Sequence, residues 1–263
     1  FDVILRERGM EIGIDPGYSL LTPAQQWLFL KQNLFAFELD FYRPLGNPYK
    51  FLHTLLGHFS RLKDEDIVPE KYLEHAEKVI ADAADDVEKE EGQKMLEVAK
   101  AYATYQRLMA EQNCLDFGDL QFYALRLFEK RPSVLKEMQQ RFRYIMVDEF
   151  QDTNLAQNKL VMMLADEHKN LVVVGDDDQA IYKWRGASLS NIRQFEERFP
   201  EAKKVVLTEN YRSGQTILDA AYHVVQKNNP FRLEHEAQID KRLVAKGYED
   251  GGEPVEVHHF SHY

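Results

Sequence analysis

Residues 144–153, YIMVDEFQDT, and 171–185, LVVVGDDDQAIYKWR, each open on an apolar run that ends abruptly in acid. The first run is Ile145-Met146-Val147, followed by Asp148 and Glu149. The second is Leu171-Val172-Val173-Val174, followed by Gly175 and Asp176-Asp177-Asp178. Continuous β-branched runs bounded by turn residues predict strands buried on both faces. Between them, Leu155, Leu160, Met163 and Leu164 recur at roughly helical spacing. Strand, helix, strand predicts a parallel pair with a right-handed crossover. Ligands of such sheets bind beyond the carboxyl ends of the strands, where these acids sit.

Asp148 and Glu149 terminate a strand, so both can turn toward one cavity. One carboxylate can hold a Mg2+ ion while the other orients a water for attack on a phosphoryl group. A solvated turn fits the same dipeptide. Asp176, Asp177 and Asp178 crowd the next strand end, beside Asp148, Glu149 and Asp152. Like charges that close raise one another's pKa, so a cation, or a lysine supplied from elsewhere, is expected there. Tyr182, Trp184 and Arg185, with Lys183, suit base stacking and phosphate contact on single-stranded nucleic acid. From spacing alone, a buried Trp and Tyr flanked by surface cations fits them slightly better. Tyr211 and Arg212 follow a third apolar run, Val205-Val206-Leu207. Arg212 can neutralise phosphate charge and Tyr211 can stack on a base. His258, His259 and His262 alternate across an expected strand, which makes shared metal ligation awkward.

The rest of the chain bounds these readings. At 263 residues it allows one to two domains, and 44% hydrophobic content supports a sizeable core. No apolar run approaches a membrane span, and no signal-peptide pattern opens the chain. The single cysteine, Cys114, reads as a small buried hydrophobe in a reducing, cytoplasmic setting. The net charge of -11 argues against nucleic acid, but residues 63–97 alone hold 13 acids and 5 bases. The remainder can therefore still carry a basic groove. Residues 1–112 read as helical: Thr22-Pro23 opens one helix, Pro69 opens an acidic one, and Asp116 caps the helix bearing Phe117, Leu120, Ala124, Leu127 and Phe128. Ser213 is expected to cap a helix with Ile217, Leu218, Ala221, Val224 and Val225. Residues 228–253 read as a polar surface excursion, and Val255 and Val257 as a last strand. Phe1 at the start and PVEVHHF near the end make the chain look like an internal piece of a longer protein.

Read together, VDEFQDT (147–153), VVGDDDQAIYKWRGA (173–187) and LTENYRS (207–213) resemble consecutive motifs of superfamily 1 DNA helicases of the UvrD/Rep/PcrA type. LDFGDL (115–120) resembles a segment just upstream of the acidic motif in that family. The resemblance implies an α/β fold of P-loop NTPase type, with partial RecA-like parallel sheets and a large all-helical accessory domain. It implies that residues 1–112 are that accessory domain, inserted in the first RecA-like domain. Residues 113–203 would complete the first RecA-like domain, and residues 204–263 would begin the second. Asp148 would hold Mg2+ and Glu149 would activate the attacking water. Gln179 would sense the γ-phosphate of ATP. Tyr211 would stack on adenine, and Arg212 would serve as an arginine finger. Tyr182, Trp184 and Arg185 would contact single-stranded DNA. The implied activity is ATP-driven unwinding of duplex DNA with 3′ to 5′ polarity.

The chain departs from the family in one respect. A phosphate-cradling loop needs Gly-Lys followed by Ser or Thr, and none of the 13 glycines precedes a lysine. That loop is expected upstream of Phe1. Two other readings remain open. Glu149 with Asp176 and Asp178 resembles a topoisomerase-primase-type metal site, which would leave Gln179, Trp184 and Arg212 without a role. A non-catalytic nucleic-acid-binding module is the other.

Overall fold

The structure is a computed structural model that describes residues 1–180, 190–230, 232–236, 238–247, 255, 256 and 258. The chain begins with α1 (Asp2–Arg8), β1 (Ser19–Leu20), α2 (Pro23–Gln32), α3 (Leu52–Asp64), α4 (Pro69–Asp82) and α5 (Asp86–Glu111). Thr22 caps α2 in a capping box with Gln25, and Pro23 and Pro69 occupy first-turn positions of α2 and α4. The helix at Trp27 stops at Gln32. Leu34 and Phe37 are buried in a following 3-10 turn, whereas Phe35 is 84% exposed. β2 (Cys114–Leu115) runs parallel to β1 and leads into α6 (Phe117–Lys130) and α7 (Pro132–Arg141). Asp116 and Asp119 form the capping box of α6. Phe117 lies off the expected apolar face and is exposed.

Two hydrophobic clusters result. One joins α2, α3 and α5 through Leu30, Leu52, Phe59, Tyr102, Tyr105 and Met109. The other joins α6, α7 and the helix that follows through Leu125, Phe128, Val134, Met138 and Leu160. Ile4, Leu5 and Tyr18 belong to this second cluster, so residues 1–112 divide between the two. The Lys63 ammonium, fully buried, lies at their junction: Nζ is 2.6 Å from Asp116 Oδ2 and 2.7 Å from Asp119 Oδ1.

β3 (Ile145–Val147), α8 (Leu155–Ala165) and β4 (Leu171–Val173) form the expected parallel unit. Ile145 pairs with Leu171 and Val147 with Val173. The burial differs from expectation. Ile145 packs on the second cluster, but Met146 is 80% and Val172 55% exposed. Strand side chains alternate between faces, and only the Ile145 face is covered among the described residues. α9 (Ser190–Arg198) then packs Phe195 edge-on against Phe150.

Four further expectations need correction. Val205-Val206-Leu207 is exposed and not a strand; β5 is confined to Glu209–Asn210. A strand needs a hydrogen-bonding neighbour, and β6 (Val244–Ala245) meets the chain only there, in parallel. Ser213 does not cap α10 (Gln215–Val225); Gly214 holds that position without a side-chain bond. The excursion expected over 228–253 is anchored within the described residues: Arg232 and Leu233, at the start of α11 (Leu233–Glu236), and Lys241, ahead of β6, bond to the Asp176–Asp178 loop, and Arg232 is 2% exposed. Val255 is exposed and outside any strand, while Val257 lies outside the described residues.

Candidate functional site

The ends of β3 and β4 are stitched by backbone before any side chain acts. Val174 N–H donates to Val147 O at 2.8 Å, and Phe150 N–H donates to Val174 O at 2.9 Å. The chain reverses at Glu149, which adopts the left-handed region at φ 50°. A non-glycine residue there is strained, and such strain gathers at functional sites. Asp148 Oδ1 accepts the Glu149 N–H at 3.0 Å. Both acidic side chains are exposed.

Gln151 connects the two strand ends and was given no role on sequence grounds. Its side chain is 1% exposed. Nε2 donates to Glu149 Oε2 at 2.7 Å, and Oε1 accepts the Asp176 N–H at 3.0 Å. Gly175 makes this possible: a Cβ there would lie 2.8 Å from Gln151 Oε1. Thr153 is held in turn by Asn191, whose Nδ2 donates to Thr153 O at 2.6 Å.

Beyond β4, Asp176 Oδ2 accepts Gln179 Nε2 at 2.8 Å. The expected lysine is Lys241. Its Nζ contacts Asp176 Oδ1 at 2.6 Å, Asp177 Oδ1 at 2.5 Å and Asp178 Oδ2 at 2.8 Å. Burial alone would lower the Lys241 pKa, but hydrogen bonds to the three carboxylates outweigh it and keep the ammonium charged. Arg232 grips Asp178 with two bonds of 2.6 Å. Burial disfavours the Asp178 charge, yet Arg232 and Lys241 hold its carboxyl below the usual range. Among the described residues, Asp176, Asp177 and Asp178 are the acidic group close enough to share an ion. Glu149 is not among them, and their charge is already met by Lys241 and Arg232. The topoisomerase-primase-type reading gains no support from this geometry.

Tyr211 and Arg212 project from the end of β5, both exposed. Asn210 Oδ1 accepts the backbone N–H groups of Arg212 and Ser213 at 3.0 and 2.8 Å, which shapes the turn. The Tyr211 hydroxyl donates to Glu209 Oε2 at 2.6 Å, and that bond raises its pKa. No hydrogen bond joins Tyr211 or Arg212 to Asp148, Glu149 or Gln179 among the described residues. Tyr182, Trp184 and Arg185 lie outside the described residues. Gln151, Arg232 and Lys241 carried no usable sequence signal: a buried glutamine and two distant cations become legible only once the chain has folded them together.

Parallel strands joined by a helix, with acidic turns at their carboxyl ends, define an α/β protein whose site lies beyond the strand carboxyl ends. The chain belongs to the UvrD/REP helicase family, whose N-terminal domain model matches residues 2–200. It is similar to the ATP-dependent DNA helicase PcrA of Staphylococcus epidermidis, 41% identical over 226 residues. The PcrA proteins of Leuconostoc citreum and Staphylococcus aureus are each 40% identical over the same length. These matches cover 86% of this chain and 28% of each relative, so the chain spans less than a third of their length.

Proposed function

We propose that this chain is part of an ATP-dependent DNA helicase that translocates 3′ to 5′ on single-stranded DNA and unwinds duplex. The observation that carries the reading is the Gln151 link, which places Glu149 and the Asp176–Gln179 loop at one end of a parallel strand pair. Asp148 suits a hard cation: its carboxylate is exposed and, among the described residues, bonded to a single N–H, so oxygen remains for Mg2+. Bound Mg2+ would neutralise charge on the phosphates. Glu149 orients and deprotonates the attacking water, steadied by the Gln151 amide. Gln179 contacts the γ-phosphate, Tyr211 stacks on adenine, and the Arg212 guanidinium stabilises charge on the transferring oxygens. Tyr182, Trp184 and Arg185 contact single-stranded DNA. We place the accessory domain in the α2–α5 helices, the first RecA-like domain in α6–α9 with the segment around α1, and the start of the second at residue 204. The test is strand displacement by the full-length protein. ATP-dependent unwinding of a duplex with a 3′ tail, and not of one with a 5′ tail, is expected. Unwinding that needs no nucleotide, or none on either substrate, contradicts the reading.

A further inference from the structure

We infer that Arg232 and Lys241 are positioning residues that make the placement of Gln179 depend on the β5–α10–β6 segment; the inference rests on the reading of Gln179 given above. The contacts form one continuous path. Lys241 Nζ lies within 2.8 Å of all three aspartates. Arg232 holds both oxygens of Asp178, and the Leu233 N–H donates to Asp177 Oδ2 at 2.7 Å. On the far side, Glu234 pairs with Arg232 and accepts the hydroxyl of Tyr222, in α10, at 2.8 Å and Nε2 of Gln226, just past its end, at 3.2 Å. On the near side, Asp176 holds Gln179 through Oδ2 and Gln151 through its N–H. Arg232 and Lys241 therefore lie on a bonded path from α10 to Gln179 and, through Gln151, to Glu149.

Charge makes this arrangement two-sided. Three adjacent carboxylates repel one another, and removing the central ammonium leaves Asp176 and Asp177 without their cation in a partly buried place, with Arg232 still holding Asp178 alone. The loop must then open toward solvent, carrying Gln179 with it. A merely structural clamp would affect folding; a positioning role also alters turnover while leaving nucleotide affinity in place.

The experiment uses the full-length protein with Lys241→Met, Lys241→Arg and, should Lys241→Met not fold, Asp177→Asn. Amide exchange is read at residues 176–180 and 232–246, and ATP turnover is read with saturating single-stranded DNA. Lys241→Met is expected to speed exchange in both segments and to lower kcat roughly 2- to 30-fold with KM little changed. Lys241→Arg, which keeps the charge, is expected to restore both. Unchanged exchange at 176–180 overturns the coupling. Faster exchange with normal kcat overturns the positioning role. If the parent protein hydrolyses no ATP at all, the proposed function fails, whereas the exchange comparison still reads the hold on the loop.

Discussion

Gly175 shows how closely the site is built at the level of single atoms. A methyl group there would meet the Gln151 amide oxygen at 2.8 Å. That oxygen ends a flexible side chain, but it is buried and already bonded to the Asp176 N–H. Moving it breaks that bond and strains the one to Glu149. Gly175→Ala should therefore destabilise the fold by about 1–3 kcal/mol. Urea unfolding measures it; an unchanged midpoint would mean the turn yields freely. The position of Asp148 and Glu149 at the end of β3 was legible in the sequence, because an apolar run that breaks into acid marks where a strand stops. The left-handed turn at Glu149 was not, since glutamate has no preference for it and tertiary bonds impose it.

At the level of elements, apolar periodicity and caps carried most of the reading. Thr22, Pro69 and Asp116 open helices where the local chemistry demands it. The strand expected at Val205-Val206-Leu207 did not form, because an apolar run states a capacity to pair, not the presence of a neighbour. The anchoring of Arg232 and Lys241 was not legible because its cause is the charge of Asp176–Asp178, 54 to 65 residues away in the chain. Contacts between elements also produce a pH dependence. Asp64, the last residue of α3, has Oδ1 bonded to Gln121 Nε2 at 2.6 Å and to Asn154 Nδ2, the α8 cap, at 2.7 Å. Burial pushes its carboxyl up to about 6. The fold thus prefers the neutral form. That preference is fully present below the ordinary carboxylate pKa and is lost as pH rises through about 6. Asp64→Asn mimics the neutral acid and keeps the accepting oxygen. Its melting temperature should match the parent near pH 4 and exceed it near pH 7. Equal values at both pH settings would show that Asp64 ionises without cost.

At the level of the whole molecule, the Lys63 triad joins the helical cluster to the α/β cluster. LDFGDL is thereby explained: Asp116 and Asp119 cap α6 and also receive the Lys63 ammonium, while the stem of Lys63 passes within 3.0 Å of where a Gly118 Cβ would sit. Burial works against the Asp116 charge, yet the Lys63 ammonium and surrounding donors hold its carboxyl low. Burial, together with the Asp116 charge, pushes Asp119 up to about 6. Lys63→Met leaves two buried carboxylates facing each other and should cost about 3–5 kcal/mol in denaturant unfolding. Adding Asp116→Asn and Asp119→Asn should recover much of the loss. A small effect of Lys63→Met alone would mean the triad is dispensable.

In the motor proposed for this chain, the Gln151 link presents Glu149 as the base that activates water. Its direct test is steady-state ATP hydrolysis by the full-length protein with single-stranded DNA, comparing the parent with Glu149→Gln. A positioned general base contributes about 10²–10⁴ in rate, so turnover should fall by that order while nucleotide binding persists. Near-normal turnover in Glu149→Gln would contradict the account.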